Sequence, residues 1–257
     1  MPDLPALPPP VPEPDPWHGL RAFTAARIAL GRSGTSVPLR EALAFRLAHA
    51  HARDAVYSAL AMPQLLADLA AFGLPVCPVH SRAATRLEYL QRPDWGRQLD
   101  DFSRTALADC AVGECDLVVV VADGLSALAV NDHALPLLRL LLPQLQQAGC
   151  CLGPIAVAEQ ARVALGDEIG QLLRARLVLV LIGERPGLSS PNSLGAYFTY
   201  APRPGLTDEA RNCVSNIRPE GLGYAPAAAK LFFLLQEAQR RQLSGVALKD
   251  ESDLLGA

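Results

Sequence analysis

The sequence of 257 residues has few lysines, no excess of positive charge and no apolar run long enough to cross a membrane. Only Lys230 and Lys249 are lysines, and the formal net charge is −3. Proteins that bind nucleic acid usually carry a basic face, so nucleic acid is excluded as an expected partner. The longest apolar runs, at 117–122 and 177–182, have the length of strands, whereas a membrane-spanning helix needs about 20 apolar residues. No membrane partner is expected either.

The N-terminus lacks the basic and then apolar order of a secretory signal. The six cysteines form no CxxC pair and complete no zinc site with a histidine cluster. Cys150 and Cys151 are adjacent, which is awkward for a disulfide framework, and free thiols are typical of a reducing compartment. We therefore expect a cytoplasmic protein that has free thiols and no metal site.

Three motifs of common α/β enzymes are missing as well. No GxGxxG follows the first predicted apolar strand, and there is neither a GxxxxGK[ST] phosphate loop nor a GxSxG elbow. A nicotinamide or flavin enzyme on a Rossmann fold is therefore unsupported. The residues alone offer no self-sufficient catalytic constellation, and no catalytic residue is predicted.

Hydrophobic residues, by contrast, are abundant. They make up 50% of the chain, and the mean hydropathy of +0.18 is high for a soluble protein. Such a composition indicates a packed core rather than a disordered chain. It is explained either by a thick core or by a permanent partner that covers part of the surface.

The chain divides into three parts by composition. Residues 1–16 are proline-rich and of low complexity, and we expect a disordered, extended tail. Residues 17–110 are mainly helical in pattern and form the predicted N-terminal domain. Residues 111–257 alternate fully apolar strands with helices, which predicts a mostly parallel sheet covered by helices on both faces. The predicted fold is α/β and Rossmann-like, preceded by a smaller helical region.

Within the N-terminal part the pattern predicts three helices. A short one follows Thr24 and ends at Gly31, and another covers about 62–72. Between them, leucine and alanine recur at helical spacing at Leu39, Leu43, Leu47 and Ala50.

Ligands of open α/β sheets bind beyond the carboxyl ends of the strands. This rule selects four loops, at 122–126, 159–165, 183–187 and 212–221. The loop 183–187 carries the sharpest signal, because Glu184 and Arg185 are adjacent between two glycines. It is either part of a ligand site or an ordinary turn with a surface ion pair.

At these loops the sequence resembles the light chain of ethanolamine ammonia-lyase. The resemblance covers about 17–250 and excludes the proline-rich tail. Six runs carry it in order: LRAFTAARIALGRSG, LAHAHARDAV, VVADGLSALAV, LIGERPGLSSPNSLGAYFTY, RNCVSNIRPEGLGY and SGVALKD.

The resemblance implies a subunit of a larger enzyme. In that family the light chain joins a large subunit with a TIM-barrel fold, and adenosylcobalamin lies between the barrel mouth and the carboxyl edge of the light-chain sheet. Radical chemistry on the cofactor converts ethanolamine, which the large subunit binds, to acetaldehyde and ammonia. Some members work inside a bacterial microcompartment, and the sequence leaves open whether the tail is an address for one.

The family's light-chain cobalamin contacts fall here on Val163, Glu184 and Cys213. We expect Val163 to pack on the corrin or present backbone groups to it, Glu184 to accept hydrogen bonds from its amides, and Cys213 to be a small polarizable contact. Their plausible neighbours are Asp123, Arg162 and Arg185.

His133 is not expected to bind cobalt. It follows Asp132, but the spacing does not match the DxHxxG pattern of corrinoid carriers that donate a histidine to cobalt. The resemblance agrees, because the family binds cobalamin with its own benzimidazole on the metal.

Two other functions stay open at this point. A stand-alone nucleotide-binding enzyme on a Rossmann-like sheet would bind a nicotinamide cofactor tightly and show no affinity for cobalamin. A purely structural subunit would keep its fold and partner but lose nothing in cofactor affinity when Glu184 is replaced.

Overall fold

The computed structural model describes residues 13, 15–111 and 113–250. The tail predicted at 1–16 therefore lies outside the described residues except for Glu13, Asp15 and Pro16. Glu13 pairs with the backbone of Arg32 through two hydrogen bonds, of 2.6 and 3.1 Å. Glu13 is thus fixed to the N-terminal region.

A six-stranded mixed sheet forms the centre of the described chain, which confirms the predicted α/β fold. The strand order is β1-β3-β2-β4-β5-β6. The first four strands are parallel, whereas β5 and β6 are antiparallel to their neighbours. In chain order the strands are β1 (Val76–His80), β2 (Cys115–Ala122), β3 (Leu152–Glu159), β4 (Ala175–Gly183), β5 (Leu194–Tyr200) and β6 (Arg211–Ile217).

Seven α-helices lie within the described ranges. They are α1 (Leu39–Tyr57), α2 (Met62–Ala70), α3 (Arg86–Gln91), α4 (Asp101–Cys110), α5 (Ala127–Gln147), α6 (Leu165–Leu172) and α7 (Tyr224–Arg241). None of the helices in this part of the chain combines the length and apolar character that a bilayer span requires.

The central strands are apolar throughout because both of their faces are covered. Val119 and Val121 pack in one core with α2, α5 and α7, and their neighbours Val118 and Val120 pack in a second core with α4 and α6. Alternate side chains of a strand point to opposite faces, so a strand buried on both sides has no polar positions. These strands are the part of the fold that the sequence predicts best.

Strand β1 was not predicted, and it lies in the part of the chain assigned to the helical N-terminal domain. It has only five residues, includes Pro78, and pairs with β3 alone at the sheet edge. Proline is tolerated there because an edge strand does not use all its backbone N–H groups. The sheet therefore begins before residue 110, and the domain division at 110/111 stays a prediction.

The short helix predicted after Thr24 is wrong. Residues 24–31 form a loop in which Ala29 and Gly31 have φ angles of +50° and +73°. A left-handed conformation at two positions is incompatible with a right-handed helix. Ile28 is 37% exposed, so the apolar residues of this segment do not pack as a helical face would.

Helices α1 and α2 confirm the other two predictions, but the stripe on α1 is not packed. Leu39, Leu43 and Leu47 are 73%, 53% and 58% exposed. Trp17 and Phe23, just before the helix, are exposed as well. The N-terminal region thus presents apolar side chains that the described chain does not cover.

Candidate functional site

A depression of about 360 Å³ lies at the carboxyl edge of the parallel strands. It forms where β3 and β4 lie on opposite sides of β2, which is the switch point at which open α/β sheets bind ligands. The loops after these three strands supply most of its lining. The lining residues are Tyr89, Gly124, Leu125, Arg162, Val163, Ile182, Gly183, Glu184, Arg185 and Tyr197.

The floor of this depression is made of two interlocked glycine turns. Leu125 donates its backbone N–H to the carbonyl oxygen of Gly183 at 2.9 Å. A Cβ atom on Gly183 would overlap the carbonyl oxygen of Ser126. Gly124 has a φ of +58°, and a Cβ atom on Gly124 would overlap the carbonyl oxygen of Gly183. Only glycine allows the two turns to approach this closely.

Asp123 holds the turn after β2 to the turn after β3. Its carboxylate accepts hydrogen bonds from the backbone N–H groups of Gly124, Gln160 and Ala161, at 2.8 to 2.9 Å. Burial raises the pKa of Asp123 to about 6, although these bonds and the guanidinium of Arg86 oppose the shift. Asp123 is therefore a structural neighbour of the depression rather than one of its lining residues.

Two arginines lie over the ring of the buried Tyr89. The guanidinium carbons of Arg86 and Arg162 are 4.6 and 4.2 Å from the ring centroid, distances at which cations are attracted by the ring quadrupole. Arg86 also donates to the carbonyl oxygens of Val56 and Gly124 and lies 3.5 Å from the carboxylate of Asp123. The Tyr89 hydroxyl donates to the carbonyl oxygen of Ala161 at 3.1 Å.

Val163 lies in the loop between β3 and α6, as predicted. It lines the depression described above and also a second one of about 230 Å³, which Tyr197, Asp208, Arg211 and Cys213 complete. Val163 and Tyr197 thus join the two depressions into one continuous surface.

Glu184 follows β4 directly and faces this surface. Its Oε2 accepts the hydroxyl of Ser193 at 2.8 Å, and its backbone N–H donates to the Ser193 carbonyl oxygen at 3.0 Å. These contacts hold the carboxylate against the start of β5. Glu184 is therefore oriented by the protein and does not form the surface ion pair with Arg185 that was one interpretation of this loop.

Cys213 does not lie in a loop, which corrects the prediction for 212–221. It is within β6, directly opposite Tyr197 of β5. Because neighbouring strands bring opposed residues close together, Cys213 still reaches the same surface as Val163 and Glu184. Cys213 is an exposed residue, but desolvation by its neighbours raises the pKa of its thiol, so the neutral form is favoured.

His133 is remote from this surface in the fold. It lies on α5, and its Nδ1 is 2.8 Å from the Tyr224 hydroxyl on α7. Both helices pack in the core on one side of the sheet, whereas Val163 and Tyr197 pack with the core on the other side.

Sequence reasoning missed the cluster of Arg86, Tyr89 and Arg162 and the role of Tyr197. The arginine-rich stretch SRAATRLEYL was visible, but nothing in it indicates that α3 reaches the loop after β3. Tyr197 is one of three aromatic residues in the run AYFTY, and nothing in that run indicates which of them borders the site.

Replacement of Gly195 by alanine is expected to displace Glu184. The added Cβ would lie 2.8 Å from Oε1 of Glu184 and 2.9 Å from the ring of Tyr197. We expect a loss of stability of about 1 to 3 kcal/mol, as for overpacked sites, measured by urea unfolding. Gly19→Ala is the control, because a Cβ there meets nothing within 4 Å and Gly19 is not among the glycines with a positive φ. A Gly195→Ala loss no larger than that of the control would contradict the close packing described here.

Comparison with known proteins agrees with the resemblance that the sequence motifs carry. The family model described as ethanolamine ammonia-lyase light chain matches residues 14–249. The chain is 57% identical over 243 residues to the "Ethanolamine ammonia-lyase small subunit" of Ralstonia nicotianae, covering 93% of this chain and 90% of that protein. It is 58% identical over 238 residues to the protein of the same name from Bradyrhizobium diazoefficiens, covering 92% and 91%.

Proposed function

The chain belongs to the light-chain family of ethanolamine ammonia-lyase, and we propose that it binds adenosylcobalamin against a TIM-barrel large subunit. The complex would convert ethanolamine to acetaldehyde and ammonia. The chain's own part is to bind and orient the cofactor and to exclude side reactions, which is what a protein contributes to cofactor-based radical chemistry.

One observation carries this proposal. Val163, Glu184 and Cys213 come from three separate segments of the chain, and all three border one surface around Tyr197. Glu184 and Tyr197 are also neighbours, because both lie within 3 Å of the position that a Cβ on Gly195 would take. A surface assembled from three separate segments is what a large rigid ligand requires.

The chemistry of this surface fits cobalamin. The corrin carries neutral amides on its rim, and sites for such ligands combine an apolar wall with a few placed polar groups. Here Val163, Ile182 and Tyr197 supply the wall, and the fixed carboxylate of Glu184 is an acceptor for amide N–H groups. The thiol of Cys213 would contact the ligand as a neutral group. When bound, adenosylcobalamin supplies radical chemistry through its cobalt–carbon bond.

The surface is too small to enclose the whole ligand. Its two depressions measure about 360 and 230 Å³, which together fall in the range of about 300 to 1,000 Å³ for a drug-sized ligand, whereas cobalamin with its corrin, nucleotide loop and adenosyl group is much larger than such a ligand. A second chain that covers the other side of the cofactor accounts for this difference.

Exposed apolar side chains support the same partner. Leu39, Leu43 and Leu47 on α1, with Trp17 and Phe23 before it, are all more than half exposed. Large exposed apolar patches mark interaction sites, and permanent interfaces resemble a core that has been cut in two. We propose that the large subunit covers this part of the N-terminal region.

The proposal is tested by co-expression with a large subunit of this family. The purified chain alone is expected to form no acetaldehyde from ethanolamine, and the complex with adenosylcobalamin is expected to form it. Activity no higher than that of the large subunit alone would contradict the proposal. Tight binding of a nicotinamide cofactor with no binding of cobalamin would favour the stand-alone enzyme.

Glu184→Gln is expected to weaken cofactor binding by the complex about 10-fold or more, since a hydrogen bond to a charged group contributes about 1.5 to 3 kcal/mol. The dissociation constant is measured from the absorbance of the corrin. The control is Glu114→Gln, an exposed glutamate just before β2 and therefore at the amino edge of the sheet. An unchanged affinity in Glu184→Gln would favour a purely structural subunit.

A further inference from the structure

Arg162 carries a positive charge that has no carboxylate partner among the residues that the structure describes. Its Nη2 donates to the carbonyl oxygen of Tyr89 at 3.3 Å, and its Nε–H is buried without an acceptor in the described chain. The side chain lines the larger depression. A guanidinium has five N–H donors, so most of its hydrogen-bonding capacity is unused here.

The side chain is nevertheless held in place. Its guanidinium lies over the Tyr89 ring, and its backbone N–H donates to the carbonyl oxygen of Gly96 at 2.7 Å. A Cβ on Gly96 would lie only 3.0 Å from the Cγ of Arg162 and 3.1 Å from the ring of Tyr89. The absence of that atom allows Gly96, Tyr89 and Arg162 to pack together, so the position of the charge is defined before any ligand binds.

The charges around the depression favour an anion. Of its lining residues, Arg162 and Arg185 are positive and Glu184 alone is negative, which gives two positive charges minus one, a net charge of +1. The whole chain has a formal net charge of −3. The nearby carboxylate of Asp123 does not neutralise the arginines, because its oxygens accept three backbone N–H groups and face Arg86.

We propose that Arg162, with Arg185 at the rim, binds the phosphodiester of the nucleotide loop of cobalamin. This inference rests on the function proposed above. The peripheral side chains of the corrin end in neutral amides, and the phosphodiester is the one anionic group among them. A guanidinium matches two phosphate oxygens with parallel N–H donors, which a lysine cannot do. Glu184 would then contact amides, and Arg162 would fix which side of the corrin faces this chain.

The test compares ligands that differ at this group. Adenosylcobalamin contains the phosphodiester, adenosylcobinamide phosphate keeps a phosphate without the base, and adenosylcobinamide has neither. Dissociation constants are measured by corrin absorbance for the complex of this chain with its co-expressed large subunit. Arg162→Gln is expected to weaken binding of both phosphate-containing ligands about 10- to 100-fold and to leave adenosylcobinamide within about 2-fold of its wild-type value.

Arg162→Lys separates charge from geometry. It keeps the charge but lacks the planar fork, so we expect its affinity for the phosphate-containing ligands to lie between that of the wild type and that of Arg162→Gln. Arg185→Gln, at an exposed position that forms no ion pair among the described residues, is expected to show the same ligand dependence with a smaller effect. If Arg162→Gln does not assemble with the large subunit, Arg185→Gln provides the test. Arg203→Gln, an exposed arginine after β5 and outside the depression, is the control.

Two results would overturn this assignment. An equal loss for adenosylcobalamin and adenosylcobinamide would show that Arg162 acts on the corrin or the fold and not on phosphate. The site would be assigned to a free nucleotide if adenosine monophosphate bound the wild-type complex but not Arg162→Gln, while the affinity for cobalamin stayed unchanged. A wild-type complex that binds no adenosylcobalamin would instead refute the function proposed above.

Discussion

Replacing Asp123 by alanine is expected to lower the free energy of unfolding by about 3 to 5 kcal/mol, the range for removing one partner of a buried charged pair. The substitution leaves the N–H groups of Gly124, Gln160 and Ala161 without their acceptor and Arg86 without its counter-ion. The side chain of Asp123 is only 6% exposed, so water does not readily replace the carboxylate. Urea unfolding followed by circular dichroism measures the loss.

Asp109→Ala is the control for this experiment, because Asp109 is an exposed aspartate near the end of α4. It is expected to change stability by less than about 0.5 kcal/mol. A loss below about 1 kcal/mol in Asp123→Ala would contradict the structural role assigned to this carboxylate.

The pH dependence of the same group has a definite sign. Burial raises the pKa of Asp123 to about 6 in the folded protein, above the value of about 3.9 in an unfolded chain. Between these values the folded state binds more protons than the unfolded state, so this group lowers stability as pH rises from about 4 to about 6. The free energy of unfolding of the wild type minus that of Asp123→Asn should therefore decrease as pH rises across that window. An increase of this difference would contradict the raised pKa.

Replacing Arg211 by methionine is expected to lower the free energy of unfolding by about 3 to 5 kcal/mol as well. Its Nη1 is 2.6 Å from Oδ1 of Asp167, and the two side chains are only 4% and 1% exposed. Arg211 also donates to Thr199 and to the carbonyl oxygen of Leu206. Because Asp167 lies on α6 and Arg211 begins β6, this pair connects the helix after Val163 to the strand that carries Cys213.

A double-mutant cycle identifies the cause of that loss. Arg211→Met leaves the carboxylate of Asp167 buried without its counter-ion, whereas the double variant with Asp167→Leu removes both charges. We expect the double variant to be more stable than Arg211→Met alone, since a buried pair replaced by apolar residues is often neutral in effect. Additive losses in thermal or urea unfolding would show that packing, and not the unpaired charge, determines the effect.

The central strands and the exposed edge loops are the parts that sequence reasoning predicts. Strands β2 and β4 are apolar without interruption, and such runs have few alternatives in a chain of this composition. The position of Glu184 follows from the same reasoning, because it comes directly after one of these runs. Their prediction depends only on local pattern and on the rule for parallel sheets.

The parts that failed depend on contacts between distant segments. The helix expected after Thr24 has an acceptable local pattern, but Arg32, directly after this segment, pairs its backbone with Glu13 instead. Strand β1 is too short and contains a proline, and only its pairing with β3 reveals it. The packing of Arg162 on Tyr89 joins residues 73 positions apart, and no local pattern indicates such a contact.

The interlocked turns at Gly124 and Gly183 determine how the site can respond to a ligand. The two turns meet backbone against backbone, and the side chain beside them is that of the buried Ile182. Structures with and without the cofactor should therefore superpose closely at these two turns, and any induced fit should be confined to the side chains that form the wall of the depression. Under the proposed function, these two turns would keep their positions when the cofactor and the large subunit bind.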